Sequence, residues 1–342
     1  MAISAEAASG LAPTGQPPAV QVTDLVKTYR GGIKALRGIS FAVAPGSVFA
    51  LLGPNGAGKS TTVKILTTLS RPDSGSARVM DLDVVRAAGR VRRAIGVVGQ
   101  RSAVDREATG EENLRLQGQF YGMGGAALRR RVDELLQRFG LTDARRRVAS
   151  AYSGGMQRKL DVAMGLIHQP RVLFMDEPTT GLDPEARADM WREIARLGRE
   201  EGLTVVLTTH YLEEADVLAQ RVAIVDHGQI AVIGTPDALK GELRGDAIAV
   251  ELAAAPPEAA IRATLRPLDG LLRELTLEGR SLRARVDSGA SALPTLLATL
   301  DGAGIQVATA TVARPSLDDV YLRHTGHSFA AADSAENKET AR

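Results

Sequence analysis

Cysteine is absent from the 342-residue chain. That excludes disulfides and thiolate metal sites, and it suits a reducing cytosol. No apolar run approaches the ~20 residues that a membrane helix needs. Work at a membrane would therefore mean docking onto a component already there. The first twenty residues lack a basic start and an apolar core, so no signal peptide is expected. A strong charge of either sign is missing too. The net charge is +2, which gives no strong basic field, and nucleic acid is not an expected partner. Hydrophobic content of 44% and charged content of 24% are those of a globular protein. The length allows one large domain or two ordinary ones.

What is present is organised around residues 47–66. The apolar run 48–52 reads as a buried strand. Gly53, Pro54, Asn55, Gly56, Ala57, Gly58, Lys59 and Ser60 follow, and from Thr61 the chain turns helical. Strand, glycine-rich loop and helix start are the context that gives G-x-x-x-x-G-K-[ST] its meaning as a phosphate loop. Glycines let backbone N–H groups converge on phosphate oxygens, and the helix N-terminus adds a favourable dipole. Lys59 would reach the β- and γ-phosphates, and the Ser60 hydroxyl would bind Mg²⁺.

The flanking chain alternates strand and helix patterns. Strands are expected at 20–27 and 35–43 before the loop, which suggests a small antiparallel sheet beside a parallel one. Further strands are expected at 77–80, 172–175 and 204–208, another follows a helix end within 90–98 and stops at Gln100, and a hairpin is expected at 221–233. Helical patterns cover 111–121, 126–139, 157–169, 185–201 and 213–220. Such alternation implies a mostly parallel sheet covered on both faces. In the helix at 126–139, Arg129, Arg130 and Arg131 read as a solvated face or a basic docking patch. From residue 244 the composition shifts to a small α+β module, with strands at 247–252, 271–277, 281–286 and 306–312. Its expected helices are 257–265, 292–302 and 317–324. Residues 1–18 are rich in Ala, Ser, Gly and Pro, and 325–342 are polar and small, so both are expected to be disordered.

Five further places carry chemistry. Asp176 and Glu177 end an apolar strand downstream of the phosphate loop. There Asp176 would hold Mg²⁺, directly or through its water, and Glu177 would orient and deprotonate the attacking water. His210 ends the next strand, where it would bond a γ-phosphate oxygen or hold the water at Glu177. Gln100 ends an earlier strand, and its amide oxygen can take Mg²⁺ or the water. Tyr29 precedes a Gly-Gly turn, either stacking on adenine or packed as an ordinary aromatic. His168, His227, His324 and His327 have no partner motif and receive no role. Finally, Ser153, Gly154 and Gly155 open a helix and make a second anion-binding helix start. Two such starts on one nucleotide are best reconciled by two chains arranged head to tail, each offering Ser153-Gly154-Gly155 to the other's ATP.

The ordered set Tyr29, Gly53 to Thr61, Gln100, Ser153-Gly154-Gly155, Asp176-Glu177, Gly181-Leu182-Asp183 and His210 resembles the nucleotide-binding subunit of ATP-binding cassette (ABC) transporters. The resemblance covers residues 19–243. It implies a P-loop NTPase core of mixed sheet, an antiparallel β subdomain and a helical subdomain at about 101–168, with the α+β module at 244–324 as an accessory. It also implies ATP and Mg²⁺ as cofactors, adenine stacking by Tyr29, a sensor loop at Gln100, an interface aspartate at Asp183 and a γ-phosphate histidine at His210. The signature's usual glutamine is replaced by Met156, with Gln157 one place later. That departure bears on cross-dimer communication and leaves the phosphate contacts of Ser153 and the glycines in place.

Glu111-Glu-Asn-Leu, Tyr152-Ser-Gly-Gly, Asp176 to Pro184, Thr208 to Ala215 and Pro315 to Leu322 are similar to the daunorubicin-resistance type of drug-export ATPase. The implied protein is a peripheral ATPase subunit at the cytoplasmic face of the cell membrane, working as a homodimer with a separately encoded membrane subunit and exporting a drug, antibiotic or other hydrophobic molecule. The alternative is a soluble ABC-type ATPase acting on ribosomes or nucleic acid. Such proteins usually fuse two cassettes or carry coiled-coil arms or zinc-binding cysteines, and none of these is visible here. A nucleotide-binding regulator without turnover is disfavoured because Glu177 and His210 are both present.

Overall fold

The computed structural model describes residues 16–332 except 244, 256, 314 and 330. The expected disorder of 1–18 therefore lies, for residues 1–15, outside the described residues, as does that of 333–342. The chain divides into two compact units, one running to Pro236 and resuming at Phe329, the other Asp237–Ser328.

The first unit is built from two sheets. Strands β1 (Val20–Thr28) and β2 (Lys34–Val43) precede β3 (Val48–Leu52) and helix α1 (Lys59–Leu66). After them come β4 (Ser74–Val79), β5 (Leu82–Asp83), α2 (Ala88–Ala94) and β6 (Ile95–Val98). Helices α3 (Gly110–Phe120), α4 (Gly125–Arg138) and α5 (Gly154–Leu166) form a helical insertion. Then β7 (Val172–Asp176), α6 (Pro184–Arg199), β8 (Thr204–Thr209), α7 (Leu212–Leu218), β9 (Arg221–Asp226) and β10 (Gln229–Gly234) complete the unit.

The main sheet has the order β10-β9-β3-β8-β7-β6. It is parallel except for the β9–β10 hairpin. Every residue of β3 and β8 is buried, as befits strands covered on both faces, and in β3 the run is apolar throughout. The second sheet, β2-β1-β4-β5, is antiparallel. One core joins the two sheets, and Phe41 stacks on Phe49 across it at 5.2 Å. Burying a phenylalanine of this kind contributes about 1.5–3 kcal/mol.

α1 begins at Lys59, two residues earlier than the sequence suggested. Gly58, in the left-handed region at φ 105°, makes the turn into it, so the loop's last glycine decides where the helix starts. α5 likewise starts earlier, at Gly154, because Ser153 caps it by accepting from Met156 N–H. Arg129 and Arg130 are exposed, but Arg131 is neither a free patch nor merely solvated. It donates to the carbonyls of Leu166 (2.7 Å) and Ile167 (3.3 Å) and so caps the C-terminus of α5. His168 is structural too: it stacks on Tyr121 at 3.6 Å and bonds Ile95 O through Nε2, and burial pushes its pKa down.

The second unit runs α8 (Pro236–Gly241), β11 (Asp246–Leu252), α9 (Glu258–Leu265), β12 (Arg273–Glu278), β13 (Ser281–Val286), α10 (Gly289–Gly302), β14 (Val307–Ala313) and α11 (Leu317–Thr325). The βαββαβ succession with strand order β12-β13-β11-β14, antiparallel throughout, is the ferredoxin-like arrangement. Ile248, Val250, Leu282, Ala284, Ile261 and Leu296 share its core. The opposite face of the sheet carries charge. Arg285, 8% exposed at its side chain, lies 3.5 Å from both Glu274 and Asp319, and Arg283 bonds Asp318 at 3.1 Å. These pairs hold the acidic first turn of α11 over β13. Leu317, Val320 and Tyr321 are buried, and Ser316 and Asp319 form a capping box. Thr325 thus belongs to a helix, and Phe329 is buried, where the sequence suggested a loose tail.

Candidate functional site

The phosphate loop is braced from two sides. A Cβ on Gly53 would stand 2.2 Å from Val225 O, and one on Gly58 would stand 2.5 Å from Ala35 O. Gly228, at the tip of the β9–β10 hairpin, donates its N–H to Ala57 O at 3.0 Å. Sequence reasoning saw that hairpin but had no signal that it supports the loop. Gly58→Ala is expected to destabilise the protein by about 2 kcal/mol or more, since a side chain meets both a left-handed φ and a backbone oxygen. Thermal denaturation measures the loss, and nucleotide affinity should fall with it.

Lys59 is 4% exposed. Its ammonium donates to Gly53 O (2.7 Å) and Pro54 O (2.8 Å) and lies 3.8 Å from Glu177 Oε1. At the first turn of α1, Ser60 Oγ donates to Asp176 Oδ1 at 3.0 Å. The same carboxylate oxygen accepts from Thr208 Oγ1 at 2.6 Å, and Thr208 Oγ1 in turn accepts from Glu177 N–H at 3.0 Å. One hydroxyl at the end of β8 therefore orients both acidic residues at the end of β7. Thr208 was missed; its only signal is a polar residue late in an otherwise apolar strand.

Glu177 is the centre of the cluster. It sits in the left-handed region at φ 49°, a conformation that costs a non-glycine residue about 1–3 kcal/mol and persists only where its surroundings fix it. Its carboxylate accepts from Gln100 Nε2 (3.2 Å) and Thr180 Oγ1 (3.3 Å), and His210 Nδ1 stands 3.3 Å away. Burial alone would push this carboxyl up. His210 and the Lys59 charge outweigh burial and hold it below the ordinary glutamate range. A buried, ionised carboxylate between a lysine and a histidine can accept a proton from water while the lysine grips an anion beside it.

Two other buried polar residues were not singled out from sequence. Arg158 donates to the carbonyls of Gly99, Asp176, Glu177 and Pro178. Glu214 on α7 accepts from Thr179 Oγ1 (2.9 Å) and Trp191 Nε1 (3.1 Å), and burial pushes its carboxyl up.

The structure thus brings Lys59, Ser60, Gln100, Asp176, Glu177 and His210 together. Tyr29 stands at the margin, 38% exposed, with its hydroxyl 3.5 Å from Thr61 Oγ1. Ser153, Gly154, Gly155 and Asp183 form a second group. Asp183 caps α6 by accepting from Ala186 N–H at 2.8 Å, and a Cβ on Gly155 would come within 2.9 Å of Ala186 Cβ. Ser153, Gly154 and Asp183 are exposed.

Ser60, Asp176 and Gln100 offer oxygen donors alone, the donor chemistry that Mg²⁺ prefers. No helix among the described residues is long and apolar enough to cross a membrane.

The family model described as "ABC transporter" matches residues 36–180, and that of the C-terminal domain of DrrA1-3-like ATP-binding proteins matches 234–325. The chain is 47% identical to the daunorubicin resistance ATP-binding protein DrrA3 of Streptomyces coeruleorubidus, over 90% of this chain and 96% of that one. It is 43% identical to the doxorubicin resistance ATP-binding protein DrrA of Mycobacterium tuberculosis, over 90% of this chain and 93% of that one. Among solved structures it is similar to a dimeric, post-hydrolysis ATP-binding cassette bound to ADP and Pi. That likeness has a TM-score of 0.58 at 27% identity and covers 63% of this chain and 98% of the other. On these grounds the chain belongs to the ATP-binding, ATP-hydrolysing subunits of ABC transporters, in the daunorubicin-resistance branch of that family.

Proposed function

We propose that this ATPase powers export of a drug, antibiotic or other hydrophobic molecule through a separately encoded membrane subunit, on whose cytoplasmic face it docks. Residues 19–243 act as the cassette and 244–324 as an accessory module. Two copies pair head to tail, with each ATP held by one copy's Gly53 to Thr61 and the other's Ser153, Gly154 and Gly155. Tyr29 stacks on adenine, Asp183 works at the dimer interface, and His210 faces the γ-phosphate. Ser60, Asp176 and Gln100 hold Mg²⁺, which neutralises phosphate charge when bound. Lys59 binds phosphate, and Glu177 takes the proton of the attacking water.

The observation that carries this reading is the separation into two groups. Lys59 and His210 converge on the one carboxylate of Glu177, while Ser153 and Gly154 open a helix on the surface. An anion-binding helix start facing outward is of use to a ligand brought by another molecule. Closing two copies around ATP converts binding energy into a conformational shift, because only differential affinity can drive one. The dimeric state of the related cassette bound to ADP and Pi supports the pairing, and the drug-resistance names of the relatives support the cargo class. Size exclusion with light scattering of the Glu177→Gln chain tests the pairing. A dimer is expected with ATP and Mg²⁺ and a monomer without. A strict monomer under both conditions, alone and beside the membrane subunit, would reject it.

The accessory module stabilises the dimer or docks on the membrane subunit, with Leu317 to Leu322 contributing. Truncation after Leu243 is expected to weaken ATP-driven pairing or transport, read by the same light scattering and by ATP-dependent uptake into inverted vesicles. If both survive truncation intact, the module merely caps the cassette.

A further inference from the structure

The two groups of site residues are joined by one helix. α5 opens at the Ser153-Gly154-Gly155 turn, where Ser153 and Gly154 are exposed. One turn further on, Arg158 is 8% exposed. Its guanidinium donates to Pro178 O at 2.6 Å, Gly99 O at 2.7 Å, Glu177 O at 3.2 Å and Asp176 O at 3.4 Å. A planar fork with five donors can span carbonyls from two strand ends, whereas lysine's ammonium concentrates its charge and three donors at one nitrogen. Another turn along, Asp161 accepts from Ala103 N–H at 2.9 Å and lies 3.8 Å from Arg158. Gln100 is therefore flanked by two attachments to α5, Gly99 on one side and Ala103 on the other. The same helix, through Arg158, also holds the main chain on both sides of the strained Glu177.

We propose that Arg158 is a positioning residue that couples the two nucleotide sites of the dimer. The inference rests on the head-to-tail pairing proposed above. In that pairing the Ser153-Gly154-Gly155 turn of one copy grips the nucleotide bound by its partner, while Gln100 and Glu177 of the same copy serve its own nucleotide. A small shift of α5 on gripping phosphate is carried to Gln100 and Glu177, because hydrogen bonds to fixed carbonyls weaken steeply with misalignment. Occupancy of one site thus readies the other.

The test is the ATP dependence of turnover by the full-length chain with its membrane subunit. In the wild type the Hill coefficient should approach two, the number of sites. In Arg158→Gln it should fall to about one, with kcat lowered by about tenfold or more and half-saturation little changed, the pattern of an interaction realised beyond substrate binding. Arg158→Lys, which keeps the charge but not the fork, should behave alike. If either variant fails to fold by circular dichroism, the near-isosteric Asp161→Asn, which loosens the same clamp, should lower the coefficient in the same direction. A wild-type coefficient of one, or folded variants that keep the wild-type coefficient whatever their kcat, would overturn the coupling. ATP-driven pairing of Glu177→Gln is read separately, so a failed dimer and a failed coupling give different results.

Discussion

Glu177→Gln should lower ATP turnover by about 10²–10⁴-fold, the usual contribution of a positioned general base, while ATP affinity stays near that of the wild type. Glutamine keeps the shape and can still accept from Gln100 and Thr180, which bond the carboxylate at 3.2 and 3.3 Å. It cannot take a proton. Phosphate release measures turnover and equilibrium dialysis measures affinity. Turnover at the wild-type level would reject Glu177 as the base. A pH arm follows from the same residue. In the folded wild type the Glu177 carboxyl is held below its ordinary value, burial being outweighed by His210 and Lys59. A depressed folded pKa contributes stability that is present above the unfolded value, about 4.3, and is lost as pH falls through the folded value. The difference in melting temperature between wild type and Glu177→Gln should therefore shrink on acidification below the glutamate range. The catalytic acid limb due to this group should likewise lie below that range.

Much of this centre was legible because its residues sit at strand ends. Gly53 to Thr61, Gln100, Asp176-Glu177 and His210 each follow an apolar run, and parallel strands in one sheet deliver their C-terminal ends to one edge. Order in sequence therefore became proximity in space. Thr208 and Arg158 were not legible for the converse reason. A threonine late in a strand and an arginine early in a helix are ordinary residues there, and what makes them matter is a neighbour supplied by a different element. Arg131 shows the same limit: its helix face was visible, but its partners Leu166 and Ile167 were not. In the second unit the strands were readable, but their order was not. Residues 271–277 were expected extended and Arg273–Glu278 is the strand, a shift that alternating apolar residues cannot resolve at a strand end. The ferredoxin-like order depends on long-range pairing, which no local pattern encodes.

Lys59→Ala is the counterpart, with its effect on binding. A charge-assisted hydrogen bond contributes about 1.5–3 kcal/mol, so losing the ammonium's grip on phosphate should weaken ATP affinity by roughly 10- to 150-fold. Two secondary losses add to it. Gly53 O and Pro54 O lose the donor that holds them at 2.7 and 2.8 Å, which loosens the loop. Glu177 loses the cation 3.8 Å away, so its carboxyl should rise toward the ordinary range and become a base that protonates more readily on acidification. Lys59→Ala should therefore lose both affinity and turnover and accumulate no ATP-bound dimer, whereas Glu177→Gln should lose turnover and accumulate one. Equilibrium dialysis separates the roles of the lysine. If ATP affinity were unchanged while turnover collapsed, Lys59 would act only through the charge it places beside Glu177, and its direct hold on phosphate would be rejected.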